Sequence, residues 1–321
     1  MHTPTRRAVL VGAAAIATIP TLTRAQSANL TLVVPFPPGG STDALARLMQ
    51  PGLQAKLGRT VIVENKGGAA GSIGAAQVAK SPGDGTSLLV TFDSHAVIPA
   101  IMEKPLLDVE KDLVPVFLVG TAPYVIAVSA GRPYKTFADV VTACKEKPGA
   151  VKYASVGVGT IGHLAMTMLA KKAGVEITHV PYRGGGPAMN DVIGGHVDLV
   201  CGSIALIAPQ LGGSAIRPLM QLGRKRLELI KDTETAIEAG FPDFEALAWW
   251  GVFAPKDTAP ALVESLAEAI KASIADANAV KLLQETQQMT LVLGGPAELR
   301  TFFAAQVEVW GKVVRDNKIK A

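Results

Sequence analysis

The chain has 321 residues, enough for two domains of ordinary size. Hydrophobic residues make up 49% and charged residues only 18%, a balance that excludes a disordered protein and requires substantial cores. The net charge of +4 is local to the start. Arg6, Arg7 and Arg24 fall in the first 25 residues, which hold no acid, and the remainder sets 28 basic against 27 acidic residues. Such a body has no electrostatic footprint for nucleic acid.

Residues 1–25 read as an export signal. Arg6-Arg7 leads into AVLVGAAAIATIP, and Thr23 and Ala25 are the small residues that cleavage after Ala25 needs. The apolar run is too short to span a bilayer. The mature protein is therefore expected in the periplasm, exported by the Sec route or, from Thr5-Arg6-Arg7, the twin-arginine (Tat) route.

A grammar of strand, glycine turn and helix then sets in. NLTLVVPF reads as a buried strand, PPGG as a turn, and STDALARLMQPGLQAKLG as a helix. Ser41 or Thr42 is its expected N-cap, and Pro51 is expected to kink or restart it. TVIVEN, the turn KGGAAG, the helix SIGAAQVAKS and the strand TSLLVTFD follow. After Pro123 come the strand YVIAVSA, the helix TFADVVTACKEKP, the strand VKYASV, a helix from Gly162 and the strand ITHVPY. RGGG then turns into the helix PAMNDVIGG, with Pro187 at its first position, before the strands HVDLVCGS and IRPLMQLG. Strands separated by helices imply parallel sheets covered on both faces. ALAWWGVFAP and a long amphipathic helical stretch, 258–286, form a tail that the small first unit can use. The expected fold is α/β and two-lobed, with parallel or mixed sheets. Residues 27–124 plus 247–321 form one lobe and 125–246 the other, joined by a hinge of two chain crossings.

Cys144 and Cys201 read as buried free thiols, with a disulfide as the alternative in an oxidising compartment. No C-x-x-C or H-E-x-x-H occurs, so no metal site is expected.

In SVGVGTIGH, Gly157, Gly159 and Gly162 fit the G-x-G-x-x-G spacing of dinucleotide sites. That reading also needs an acid at the end of the next strand, which here closes on Val180, Pro181 and Tyr182. What survives is more general. A glycine turn that opens a helix offers unpaired N–H groups and the positive end of a dipole, and so holds an anion. Four turns do this: Pro37–Gly40, Gly67–Gly71, Gly157–Gly162 and Gly184–Gly186, with hydroxyls at Ser41, Thr42, Ser72 and Thr160 taken as caps. Two belong to each lobe, which predicts a cleft between them. Arg183 is the one strong cation beside such a turn; it either reaches the ligand or covers the surface. His163 and His95 read as structural or ligand-contacting, because nothing assembles a nucleophile, base and orienter.

LTLVVPFPPGGSTDALARLM, VIVENKGGAAGSIGA, SPGDGTSLLVTFDSHAVIPA, YASVGVGTIGHLA, VPYRGGGPAMNDVIGGHVDLV, WWGVFAP and WGKVVRD run in order over essentially the whole mature chain. Together they resemble the Bug-type receptors, the extracytoplasmic solute-binding proteins of the tripartite tricarboxylate transporter family. The resemblance implies a type II periplasmic-binding-protein fold that closes on a dicarboxylate, tricarboxylate, acidic amino acid or aromatic acid. It implies membrane transporter subunits as partners. In the first lobe the implied contacts are Phe36, Pro38, Gly39, Gly40, Ser41, Thr42, Ala70, Gly71, Ser94 and His95. In the second they are Ser155, Gly157, Gly159, Thr160, His163, Tyr182, Arg183, Gly184 and Gly185, with Asp198 supporting the site. Val156 and Val158 stand where the family often has Ser or Asn, so they either line a less polar pocket or face the core. Asn65-Lys66-Gly67-Gly68 replaces the common Asn-Arg-Pro-Gly, which leaves the shape of that turn open. The expected protein is a monomeric receptor without cofactor or catalysis. The alternative is an exported nucleotide-dependent enzyme built on the Gly157–Gly162 turn.

Overall fold

Strand β1 (Leu30–Val34) pairs in parallel with β2 (Val61–Asn65) on one side and β3 (Ser87–Phe92) on the other. Helices α1 (Ser41–Leu57) and α2 (Ser72–Ala79) make the connections. This is a computed structural model that describes residues 28–320, so the expected export signal lies outside the described residues. Leu45, Met49 and Leu53, one turn apart on α1, are fully buried. Helix α1 runs through Pro51 without the expected break. Pro51 and Arg47 are both exposed, so the Arg47 carbonyl that Pro51 leaves unpaired faces water. Beyond β3 come a tight turn, Asp93–Ala96, and the short helix α3 (Ile98–Ile101).

Strand β4 (Leu113–Ser129) is the spine of the molecule. The sequence expectation began this strand at Tyr124, after Pro123, and assigned no strand to the residues before it. The structure absorbs Pro115 and Gly120 in register shifts against the neighbouring strand. Pro123 marks a change of partners. Up to Pro123, β4 pairs antiparallel with β9 (Leu247–Pro255) and with β10 (Thr290–Gly294). From Tyr124 onward it pairs with β7 (Leu199–Ser203) and β8 (Ile216–Gln221).

The second lobe adds α4 (Phe137–Glu146), β5 (Lys152–Ser155), α5 (Ile161–Ala173), β6 (Thr178–Pro181), α6 (Gly185–Ile193) and α7 (Ile204–Leu211). Strand β5 is parallel to both β6 and β7. The fold is thus the expected two-lobed α/β type, but its two mixed sheets are joined through one strand into strand order β2-β1-β3-β9-β4-β7-β5-β6. Strand β4 changes partners at Tyr124, and Ala246 immediately precedes β9. The two points lie side by side, since the Tyr124 N–H donates to the Ala246 carbonyl at 3.0 Å.

The tail returns to the first lobe as α8 (Pro260–Ser273), α9 (Ala277–Lys281), a π-turn over Leu282–Thr286, β10 and α10 (Pro296–Asp316). The single long helical stretch expected over 258–286 is broken because Asp276 caps α9 with its side chain, accepting from the N–H groups of Asn278 and Ala279. Helix α8 packs closely on α1, where a Cβ at Gly52 would stand 2.7 Å from Ser273 Cα. Cys144 and Cys201 are buried and unpaired.

Candidate functional site

Parallel strands β1, β2, β5 and β6 end on a shared rim, and the loops that leave them face one another. The lobes touch there. A Cβ at Gly184 would stand 3.1 Å from Pro37 Cδ, and one at Gly40 would stand 3.9 Å from the Gly185 nitrogen. Two adjoining spaces lie between the lobes: a small inner chamber of about 30 Å³ and an outer cleft of about 890 Å³. The inner one has room for a group the size of one or two waters.

Three helix N-termini meet at the inner chamber. Gly40, Ser41, Thr42 and Asp43 come from α1, Gly184 and Gly185 from α6, and Ser203 and Leu206 from α7. Phe36, Phe92, Tyr124 and Val156 complete its wall. The N-cap of α1 is Gly40, not the expected Ser41 or Thr42, which fall at the first two helical positions. No side chain caps α1; Asp43 instead reaches back to accept from the Gly39 N–H at 3.1 Å, just before the cap. Its carboxylate also accepts from Arg47 at 3.0 Å and Asn65 at 2.9 Å. Burial works to raise the Asp43 pKa, but these donors outweigh it and hold it below the usual value. The first-turn amides of α1 have no partner within the helix. In α6 the cap is Gly184, at φ +117, and Pro187 is third rather than first. Its missing N–H is again one that the helix could not have used. Ser72, another expected cap, follows the true cap Gly71. Each helix end contributes about half a positive charge. The structure therefore aims three such ends, α1 from the first lobe and α6 and α7 from the second, at a chamber with no cationic side chain in its wall.

The outer cleft is different. Pro35, Pro37, Pro38, Ile73, Met102 and Pro181 line it, as do Val156 and Val158, which are half-buried and also pack against the core. Ala70, Gly71, Gly157, Thr160, Tyr182 and Arg183 also border it. Ala69 and Ala70 hold positive φ values of 47° and 55°, a strained turn of the kind found at ligand clamps. Gly39 lies in a neighbouring space between the lobes, with Gly186 and Asn190.

The turn with the best motif has spent its donors. The Gly157 N–H reaches Ser155 Oγ at 3.3 Å, the Gly159 N–H donates to His163 Nδ1 at 3.2 Å, and Thr160 N–H points to the Gly157 carbonyl at 3.4 Å. This removes the amides a pyrophosphate would need. Ser155 and His163 lie beneath the turn rather than on the cleft wall. His163 stacks on His179 at 3.9 Å, and His179 Nε2 is 2.7 Å from Ser155 Oγ. Burial pushes His163 down to about 4 and His179 to about 3, the latter with help from its neighbour. His179 escaped the sequence reading, since a lone histidine in a strand carries no spacing signal. Gly159 meets the first lobe instead of a ligand, for a Cβ there would collide with Ile101 Cδ1.

Three other expected contacts stand elsewhere. Ser94 is buried and ties down the strained turn by donating to the Ala70 carbonyl at 3.2 Å. His95 is 1% exposed, packed against Phe253 and Phe303 with centroids at 5.0 and 5.3 Å. The tight turn after β3 points it into that aromatic cluster, and neither ring nitrogen has a protein partner. Asp198 precedes β7 and so lies at the opposite end of that strand from Ser203, about 16 Å away at 3.3 Å per residue. There it pairs with Arg132 at 2.8 Å and accepts from the Lys152 N–H. Conversely, Asp43, Phe92, Tyr124, Ser203 and Leu206 at the inner chamber were not anticipated. Tyr124, where β4 changes partners, donates to the buried carboxyl of Asp93 at 2.7 Å. Burial raises the pKa of both groups well above their ordinary values.

His95 supports a prediction. Burial holds its pKa at about 3. Above about pH 6.5 it is neutral folded or unfolded; as pH falls below that, the unfolded chain takes a proton that the folded one refuses. Stability is then lost at about 1.4 kcal/mol per pH unit until the folded pKa is reached. Asp93 acts in the opposite sense, stabilising the acid side, so the comparison must isolate His95. His95→Phe is expected to melt at a higher temperature than the parent at pH 7, with the gap widening at pH 5. A gap that stays constant or shrinks would show that the ring is protonated in the fold.

Comparison with known proteins gives a consistent outcome. Residues 45–319 match the model of the tripartite tricarboxylate transporter family receptor. The periplasmic binding protein BugD superposes with a TM-score of 0.87 at 30% identity, covering 92% of this chain and 99% of its own. An R. palustris protein solved with adipate gives 0.86 at 30% identity, covering 92% and 98%. MatC from Rhodopseudomonas palustris, solved with bound malate, gives 0.84 at 28% identity, covering 90% and 99%.

Proposed function

This chain belongs to the tripartite tricarboxylate transporter receptor family, and from that premise we propose that it captures a small organic carboxylate between its lobes and delivers it to membrane transporter subunits. It is a solute-binding receptor, not an enzyme. The family places it in the periplasm. In this reading residues 1–25 direct export, residues 27–124 plus 247–321 form the first lobe, residues 125–246 form the second, and the receptor works as a monomer. The adipate and malate held by similar proteins give the class of ligand. The observation that carries the proposal is the meeting of the α1 and α6 N-termini, from opposite lobes, at the inner chamber. A carboxylate seated there would bridge the two lobes, so it binds the closed arrangement better than the open one and shifts the population toward it.

Native mass spectrometry of protein purified from the periplasm tests the proposal. The expected mass is that of a monomer beginning at Gln26 plus an organic acid, and titration with the recovered acid should give a Kd of about 1 μM or tighter, roughly −8 kcal/mol. A bound NAD(P) or nucleotide, with no acid bound, would overturn it.

A further inference from the structure

Resting on the receptor reading above, we infer that the ligand has an apolar body, an aromatic ring or an alkyl chain, and carries no ammonium group. The inner chamber, at about 30 Å³, admits a carboxylate and little else. The rest of the molecule is placed in the outer cleft, the larger of the two spaces that adjoin the chamber (about 890 Å³ against about 380 Å³), whose side chains have little polar capacity left. Asn65 donates to the Phe36 carbonyl and to Asp43. Thr160 Oγ1 donates to the Gly157 carbonyl at 2.8 Å, and the Tyr182 hydroxyl donates to Asp191 at 2.6 Å.

What remains for the ligand body is Val156, Val158, Ile73 and Met102. No acidic side chain lines the outer cleft, and Asp43 at the inner chamber is already paired with Arg47, so an amino acid's ammonium would be desolvated without a partner. Arg183 is the only cationic side chain in that wall, and among the described residues it makes no ion pair. It can meet one further acid group at the mouth but not the extra charges of a tricarboxylate. A hydroxyl on the body would find few side-chain partners there, since those of Asn65, Thr160 and Tyr182 are already engaged.

Isothermal titration of the mature protein with benzoate, hexanoate and adipate, against malate, citrate and aspartate, tests the inference. At least one of the first three is expected to bind about tenfold or more tighter than every one of the last three, since each methylene buried in an apolar pocket is worth about tenfold. Val158→Ser, a half-buried position on the cleft wall, should weaken the best apolar acid about tenfold and leave malate unchanged. If malate, citrate or aspartate binds as tightly as the apolar acids or tighter, the inference falls and the receptor reading stands. Should none of the six bind, both fall.

Discussion

Gly184→Val is expected to lose ligand binding by about 100-fold or more while the fold survives. Gly184 sits at φ +117, ψ 175, a conformation that a β-branched residue does not tolerate, and caps α6 at the chamber. Its Cβ would stand 3.1 Å from Pro37 Cδ, on the other lobe, so part of the cost falls only on the closed arrangement. A 100-fold loss is about 2.7 kcal/mol, within reach of such a clash and strain together. Gly39→Val is the control. It carries the same kind of strain at φ +90, but nothing lies within 4 Å of its Cβ. Calorimetric titration of both variants, with melting curves to show that both fold, separates the effects. If Gly184→Val binds like the parent, or if Gly39→Val loses as much, contact between the lobes is not what holds the ligand.

The sequence announced the alternation of strand and helix, the two-lobed arrangement and the glycine turns, because each rests on local spacing. It announced only the second half of β4, from Tyr124, since Pro115, Gly120 and Pro123 interrupt any local strand signal and are absorbed only by pairing with neighbouring strands. The turns posed a subtler problem. Spacing shows where backbone amides are exposed, but not which have already found a partner. The Gly157–Gly162 turn matched a motif best and has the least to offer, because Ser155 and His163 occupy its donors. In the less distinctive PPGG and RGGG turns Gly39 and Gly184 have spent theirs on Asp43 and the Val156 carbonyl, which leaves Gly40 and Gly185 to face the chamber. The remaining walls of the inner chamber, Phe92, Tyr124, Ser203 and Leu206, come from strands and a helix start distant in sequence, and only the fold assembles them. His95 and Asp198 misled for a related reason. A polar residue near a turn suggests a site, but the tight turn after β3 buries one in an aromatic cluster and the direction of β7 carries the other to the far rim.

The grip on the ligand is assigned to main-chain N–H groups, and one substitution removes such a group with little other change. Ser41 is the first residue of α1, the position where proline is best tolerated, and Gly40 before it has φ −88 and ψ 170, the extended conformation that a following proline requires. Ser41→Pro therefore deletes an amide donor at the chamber and keeps the helix, while Ser41→Ala deletes only the hydroxyl. Removing a hydrogen bond to a charged group costs about 1.5–3 kcal/mol, roughly 10- to 100-fold in affinity. Titration of the two variants with the bound acid is expected to show that loss for Ser41→Pro and a change of less than about threefold for Ser41→Ala, a few tenths of a kcal/mol. Parent-like affinity in a folded Ser41→Pro protein, or an equal loss in both, would contradict recognition by the backbone.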